Sequence, residues 1–220
     1  TERDLEKGIT IATRGNQDTN WLVKKKLAIP GLDIDGKYVG YTISRDQQVV
    51  IVSYEGAGSE GEEDLYYSML GSDGWSDLEH LGSTINSPGF EISPFLSPNN
   101  DTLYFSSNGF KGQGDADIYY SVRKGKWNSW SKPINLGKTI NTPNFDAYFS
   151  LIDNQAVWSS NRDGKDLDLW TAWAIKPPEL IMTVKEIKHI SEFQGSDGMI
   201  DIDIVSGVKP YKYQWSNGMT

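Results

Sequence analysis

Residues 92–108 are ISPFLSPNNDTLYFSSN, two short apolar runs on either side of the segment Pro98-Asn99-Asn100-Asp101. Proline and asparagine favour chain reversal, and the β-branched and aromatic residues that follow favour strands. The second run ends in small polar residues, as a strand entering a turn does. This stretch therefore predicts a β-hairpin.

The hairpin pattern recurs along the chain. Ser44, Ser97 and Ser150 lie at equal intervals of 53 residues, and an apolar run follows each of them. The runs are Val50-Ile51-Val52-Ser53, Tyr104-Phe105-Ser106-Ser107-Asn108 and Val157-Trp158-Ser159-Ser160-Asn161. An acidic residue then opens an aromatic-rich segment, at Asp64, Asp117 and Asp168. Self-similarity at a fixed period indicates a repeat architecture.

Another part of the repeat has an offset of 55 residues, which places a two-residue insertion in one loop. Gly74-Trp75-Ser76 and LGSTIN at 81–86 are matched by Ser129-Trp130-Ser131 and LGKTIN at 136–141. Four short strands with their turns fit into one period, and no long stretch has the 3.6-residue periodicity of a helical repeat. The predicted fold is all-β, with one four-stranded antiparallel β-propeller blade in each repeat.

Residues 1–176 are predicted to hold three such repeats plus a partial one, with the three blades lying between about residues 38 and 175. The partial blade comes first, and Ile9–Gly15 and Asp18–Val23 are assigned to its second and third strands. A closed propeller has about 4 to 8 blades, so the parent protein is expected to be longer.

A second domain is predicted over residues 180–220. Lys176-Pro177-Pro178 has the character of a linker, because proline lacks an amide proton and enforces extended geometry. Ile200–Val205 alternates apolar and acidic residues, and Tyr211, Tyr213 and Trp215 also recur at every second position. Both patterns predict strands with one buried face. Because a complete sandwich needs about 100 residues, the segment is interpreted as an incomplete immunoglobulin-like β-sandwich.

Composition excludes several classes of function. The chain has 21 Lys and Arg against 30 Asp and Glu, a formal net charge of −9, which repels a phosphate backbone and argues against a nucleic-acid partner. There is no cysteine, so thiol nucleophiles and Cys-zinc sites are excluded. No apolar run is long enough to span a bilayer, and no transmembrane segment is predicted. No cofactor or bound metal is expected.

The central repeat resembles a known type of propeller. Residues 92–108, followed by Gly114-Asp115-Ala116-Asp117-Ile118-Tyr119, are similar to the WD-like repeat of TolB-type β-propellers. They are most similar to the version in large envelope proteins of gliding or type IX-secreting Gram-negative bacteria, often joined to OmpA-type peptidoglycan-binding domains. In the first blade, Arg45-Asp46-Gln47-Gln48 replaces the proline-containing turn.

The C-terminal segment resembles a different family. Residues 198–218, which end in PYKYQWSNG, are similar to the start of an SprB-type surface-adhesin repeat of immunoglobulin-like fold, with Val208 in place of the usual second glycine. The two resemblances imply an exported protein in the periplasm, at the outer membrane or on the cell surface of a Gram-negative bacterium. Neither implies an activity.

Neighbouring carboxylates are the candidates for acid–base chemistry or calcium binding. They occur at Glu62-Glu63-Asp64, at Asp115 with Asp117 and at Asp166 with Asp168. The favoured interpretation is that the repeated acids accept turn or inter-blade hydrogen bonds, because catalytic groups have to break the repeat. Calcium stays open as the alternative, although no stretch has the spacing of a calcium loop. No catalytic residue is predicted, and His80 is interpreted as a solvent-facing or capping residue.

Loop residues that differ between the repeats are the predicted binding residues, because blade packing does not account for them. They are Phe110, Lys111, Trp127, Asn128, Arg162 and Asp163. The predicted function is a non-catalytic scaffold or protein-binding module with a protein partner in the cell envelope, in type IX secretion, gliding or peptidoglycan-associated assemblies. A carbohydrate-binding propeller is the first alternative, which non-repeating aromatic residues around a funnel would favour, and a glycoside hydrolase is the second.

Overall fold

The computed structural model describes residues 9–15, 20–32, 34, 39–173 and 181–206. These residues form sixteen β-strands and no helix, which confirms the predicted all-β class. None of them belongs to a helix that could cross a membrane. The chain divides into two compact units, Thr1–Ala172 and Trp173–Thr220.

The first unit begins with a two-stranded sheet and continues with three larger sheets, each built from consecutive segments of the chain. The two-stranded sheet pairs β1 (Thr10–Thr13) with β2 (Leu22–Lys26). The first larger sheet contains β3 (Gly40–Ile43), β4 (Val49–Tyr54) and β5 (Asp64–Gly71), with β6 (Gly74–Trp75) and β7 (Glu79–His80) both paired to β5. The second contains β8 (Glu91–Leu96), β9 (Thr102–Ser107), β10 (Asp117–Val122) and β11 (Ile134–Asn135). The third contains β12 (Asp146–Ile152), β13 (Gln155–Ser160) and β14 (Asp168–Trp173).

The predicted count of four strands in each sheet holds fully in the second sheet only. In the first sheet, two short strands share the position beside β5. In the third sheet, the described residues supply three strands. The described residues do not close into a ring. Part of the predicted strand Asp18–Val23 lies outside the described residues, and its remainder belongs to β2.

Sheets pack against both faces of β4, which is buried along its whole length. Successive side chains of a strand point to opposite faces. Ile51 therefore faces the second sheet, where it shares a cluster with Phe105. Val52 faces the other way, toward Ile9 and Leu27 of the N-terminal segment.

The same alternation in β9 joins the second sheet to the third. Phe105 faces the first sheet, whereas Tyr104 packs with Ile118 and Trp158 on the opposite side. The ring of Tyr104 stacks on Phe149 of β12 with the centroids 4.7 Å apart. The three sheets are therefore stacked face to face in chain order.

The equal spacing of the three serines is misleading at Ser150. Ser44 and Ser97 both follow the first strand of their sheets, and each hydroxyl accepts a hydrogen bond from the backbone amide five residues later, at 2.9 Å. Ser150 instead lies inside β12, opposite Val157. The connection after β10 is two residues longer than its counterpart after β5, and the β12–β13 turn is shorter than its counterparts, which keeps the offset close to 53.

The second unit contains an antiparallel pair, β15 (Ile181–Lys188) and β16 (Met199–Ser206). The predicted strand at Ile200–Val205 is confirmed by β16. A sandwich is not formed by the described residues of this unit, which supply this one pair. The linker Lys176–Pro178 and the aromatic residues Tyr211, Tyr213 and Trp215 lie outside the described residues, so the domain boundary stays a prediction.

Two buried asparagines complete the ladders of the first two sheets. The side-chain oxygen of Asn86 accepts a hydrogen bond from the amide of Leu65 at 2.8 Å, and its amide group donates to the Leu65 carbonyl at 3.0 Å. Asn141 makes the same pair of bonds to Ile118, at 2.8 and 2.9 Å. Each asparagine therefore pairs with the backbone as one more residue of a strand would.

We expect Asn141→Ala to lower the free energy of unfolding by about 2 to 4 kcal/mol, because it leaves a buried amide and a buried carbonyl without partners. Urea denaturation measures the change. Asn128→Ala is the matched control, since Asn128 is exposed and should change the free energy by less than about 0.5 kcal/mol. Equal effects of the two substitutions would show that the Asn141 bonds contribute nothing.

Candidate functional site

The repeated aspartates at the start of β5 and β10 hold turns. The Oδ2 atom of Asp64 accepts a hydrogen bond from the Glu60 amide at 2.6 Å. Oδ2 of Asp117 accepts one from the Gln113 amide at 2.5 Å. Both side chains are buried, so the prediction that the repeated acids accept turn hydrogen bonds is confirmed for these two. Asp168, at the start of β14, is exposed.

His80 belongs to the same network. Its side chain is 24% exposed, so the solvent-facing alternative is wrong, and the capping alternative is confirmed. Nδ1 accepts a hydrogen bond from the Gly82 amide at 3.2 Å, which assigns the proton to Nε2. Nε2 lies 2.8 Å from Oδ2 of Asp64. In the second sheet Asn135 takes this position, donating to Asp117 at 3.0 Å and accepting from the Gly137 amide at 2.8 Å.

A second set of acids, which sequence analysis did not identify, begins the first strands of the second and third sheets. Glu91 accepts hydrogen bonds from the Ser87 amide at 2.8 Å and from the hydroxyls of Ser87 and Ser107 at 2.6 Å. Burial raises the pKa of Glu91 to about 7, although these donors oppose the shift. The spacing Ser87-x-x-x-Glu91 recurs as Thr142-x-x-x-Asp146, and that recurrence is the signal that could have revealed these residues.

Arg162 completes the corresponding network in the third sheet. The Asp146 side chain is one methylene shorter than that of Glu91. Nη2 of Arg162 lies 3.4 Å from Asp146 and donates to the Ile140 carbonyl at 2.7 Å. The guanidinium carbon lies 5.2 Å from the ring centroid of Trp158 and 4.6 Å from that of Trp170. This predicted binding residue therefore has structural contacts on several sides.

The other predicted binding residues are partly packed and partly exposed. Phe110 packs against Phe105 and Tyr119, with ring centroids 6.3 and 5.4 Å apart. Trp127 packs beside Trp130, and its ring lies under the Arg123 guanidinium at 4.5 Å. Three are exposed: Lys111, Asn128 and Asp163.

The structure does not bring these six residues together. Phe110 and Lys111 follow β9, and Arg162 and Asp163 follow β13, the second strand of the next sheet. Trp127 and Asn128 follow β10 instead. Consecutive antiparallel strands run in opposite directions, so the loop after β10 leaves the opposite end of the sheet. That these residues bind a ligand stays a prediction.

A groove of about 320 Å³ lies among the first strands of the three sheets. Its lining is Val39, Gly40, Tyr41, Thr42, Ser93, Pro94, Phe95, Tyr148 and Phe149. No charged residue is among the described residues that line it. Tyr41 and Tyr148 stand at its rim, 52% and 45% exposed. Its volume lies at the lower end of the range for small-molecule sites, about 300 to 1,000 Å³.

Irregular backbone shapes two walls of the groove. The register of β8 shifts between Ile92 and Phe95, and that of β12 shifts between Ala147 and Ser150. Inside these bulges, Ser93 has φ +53° and Tyr148 has φ +58°, the left-handed region that side-chain-bearing residues rarely adopt. Sequence analysis missed the groove because the residues come from three distant segments and no spacing rule predicts a left-handed tyrosine.

Among the described residues, no group of three His, Asp or Glu side chains is placed to hold a metal ion. The comparison with known families adds a finding at the C-terminus. Residues 193–220 match the SprB repeat family. This confirms the predicted resemblance there, and the TolB-type resemblance stays a prediction. No curated protein matches the chain. The SprB repeat is associated with cell-surface proteins of gliding bacteria, which is consistent with a surface or envelope location.

We expect His80→Asn to change the free energy of unfolding by less than about 1 kcal/mol, because Asn135 already performs the same two hydrogen bonds in the second sheet. His80→Ala should cost about 1 to 3 kcal/mol, because it removes the donor to the buried Asp64. Chemical denaturation of both variants measures the difference. If alanine were as well tolerated as asparagine, the capping role of His80 would be wrong.

Glu91 gives the protein a pH-dependent stability of known sign. A folded pKa of about 7, above the ordinary 4.5, means that the folded state favours the protonated form. The free energy of unfolding should therefore fall by up to about 3 kcal/mol as the pH rises from 4.5 to 7. Denaturation curves of the wild type and Glu91→Gln across this range measure it, because glutamine does not titrate. Parallel pH profiles of the two proteins would contradict the raised pKa.

Proposed function

We propose that the first unit is a non-catalytic scaffold or protein-binding module of a bacterial surface or envelope protein. The observation that carries the proposal is the use of the buried acids. The described carboxylates of Asp64, Glu91, Asp117 and Asp146 are each at most 1% exposed, and each holds a turn or a junction between sheets. A buried carboxylate that accepts structural hydrogen bonds is not available to a substrate.

The glycoside hydrolase alternative needs two carboxyl groups that flank a substrate bond. The groove among the first strands has no carboxylate among its described lining residues. The exposed acids Asp163 and Asp168 lie on the third sheet alone and have no comparable exposed partner at the groove. The geometry therefore favours a binding module over an enzyme.

We further propose that the three sheets are blades of a TolB-type β-propeller. Two features support this: consecutive sheets stack face to face, and the first strands of all three sheets border one groove. In a propeller the first strands of the blades line the central channel. The location proposed for the whole protein is the outer membrane or cell surface of a Gram-negative bacterium, in assemblies of type IX secretion, gliding or peptidoglycan attachment. The SprB match at residues 193–220 supports the surface location.

The exposed loop residues are the proposed contacts for a protein partner. Lys111 and Asp163 lie on loops at one end of the stacked sheets, and Asn128 lies on a loop at the other end. These loops differ between the repeats, so each sheet presents its own polar surface. A scaffold that contacts its partner through several loops has this property.

Substitution of the repeated aspartates separates a scaffold from an enzyme. Asp64→Asn and Asp117→Asn should each change the free energy of unfolding by about 1 kcal/mol, because a turn hydrogen bond is weakened. Asp168→Asn should have less effect, because Asp168 is exposed. None of the three should remove a turnover, since the wild type should hydrolyse no member of a panel of chromogenic glycosides. Hydrolysis that a single one of these substitutions abolishes would overturn the proposal in favour of an enzyme.

A further inference from the structure

The groove among β3, β8 and β12 has a chemistry that differs from the rest of the surface. The chain carries a formal charge of −9, with 23% of its residues charged, yet the described lining of the groove has no charged side chain. The lining combines the hydroxyls of Thr42 and Ser93 with aromatic rings. An occupant that matches this lining is uncharged, has an apolar face and carries hydrogen-bonding groups at its edge.

One of these hydroxyls lacks a partner. Ser93 is 9% exposed, and its Oγ atom makes no hydrogen bond to any described residue. A buried polar group without a partner costs free energy, and ligand or water hydroxyls are what satisfy such groups. The hydroxyl therefore marks a point in the groove wall where a hydrogen-bonding occupant gains free energy on binding.

The tyrosines supply the apolar surface. Tyr41 and Tyr148 come from different sheets and border the same groove, with about half of each side chain exposed. Neither aromatic residue repeats: Pro94 lies 53 residues after Tyr41, and Ser93 lies 55 residues before Tyr148. Blade packing therefore does not require a tyrosine at either place.

Backbone strain singles out Tyr148. A bulky residue at φ +58° is sterically disfavoured by about 1 to 2 kcal/mol, and glycine would adopt this conformation without that cost. Strained residues of this kind concentrate at ligand sites, where function retains them. The presence of tyrosine at the position is thus evidence for a role of its ring outside the fold.

We propose that this groove binds an uncharged saccharide, with a pyranose ring packed against Tyr148 and Tyr41 and its hydroxyls bonded to the groove wall at Ser93. The flat faces of a pyranose carry C–H groups that pack on aromatic rings, and its equatorial hydroxyls both donate and accept hydrogen bonds. The volume of about 320 Å³ accommodates a mono- or disaccharide unit, so a longer glycan would contribute one or two residues. This inference goes beyond the scaffold function and does not depend on it.

Titration with cellobiose, maltose and N,N′-diacetylchitobiose, followed by saturation-transfer NMR, tests the proposal on the intact chain. We expect at least one of them to bind with Kd below about 10 mM. Glucuronic acid should bind less well than glucose, because the groove offers no cation to offset the overall negative charge. A proline decamer is the competing probe, since aromatic grooves also hold polyproline helices.

Variants at Tyr148 separate binding from folding. Tyr148→Gly should weaken saccharide binding by at least about tenfold while the thermal midpoint stays equal or rises, because glycine relieves the left-handed strain. Tyr148→Phe keeps the ring and should retain binding. Tyr41→Ala should weaken binding, whereas Trp173→Ala, an exposed aromatic residue outside the groove, should not.

Three outcomes would overturn the proposal. They are the absence of binding for every neutral sugar up to about 20 mM, undiminished binding in Tyr148→Gly, and binding of the proline decamer in place of sugar. Because none of these assays involves a protein partner or a turnover, a negative result would leave the scaffold proposal standing.

Discussion

The burial of one strand on both of its faces is the constraint on which the first unit depends. β4 and β9 carry apolar side chains on both sides, and each fully buried aliphatic or aromatic side chain stabilises the fold by about 1.5 to 3 kcal/mol. A single sheet with such a strand would expose half of that surface. Sheets therefore have to cover each other in succession, and the repeat places a matching sheet at each side.

Stacking of this kind presses the connecting segments into the junctions between sheets, where backbone groups lose contact with water. Gly114 shows how close the approach is, because a Cβ atom there would collide with the backbone oxygens of Thr142 and Asn144. The amides in such a junction need acceptors, and buried carboxylates provide them. The junctions of the second and third sheets meet this need differently. Glu91 is held by hydroxyl and amide donors, and its pKa is raised, whereas Asp146 has the guanidinium of Arg162 beside it.

Much of this organisation could be predicted from the sequence, because it follows from patterns of period two and of about 53 residues. The strand at Ile200, the hairpin after Ile92 and the turn bonds of Asp64 and Asp117 are of this kind. The failures have physical reasons. Ser150 kept the period although two compensating length changes moved it into a strand, and spacing cannot reveal compensation. Arg162 differs from Gly109, its counterpart in the second sheet, for a structural reason: the shorter carboxylate of Asp146 leaves room beside it. The groove was missed because left-handed backbone at Ser93 and Tyr148 is a tertiary property that local preference argues against.

A repeat fold also determines where divergence is tolerated. Gly40, Ser93 and Tyr148 occupy the same position of the repeat, four residues before the hairpin in the first two sheets and in the equivalent bulge of the third. The backbone there is fixed by strand pairing on one side, while the other side faces the groove and has no sheet to pack against. Side chains at this position are therefore free of the complementarity that β4 and β9 impose on the interior. A glycine, a serine and a tyrosine can stand at equivalent places without disturbing the stack, so the inner edge of the sheets is where binding specificity is acquired at the least cost to the fold.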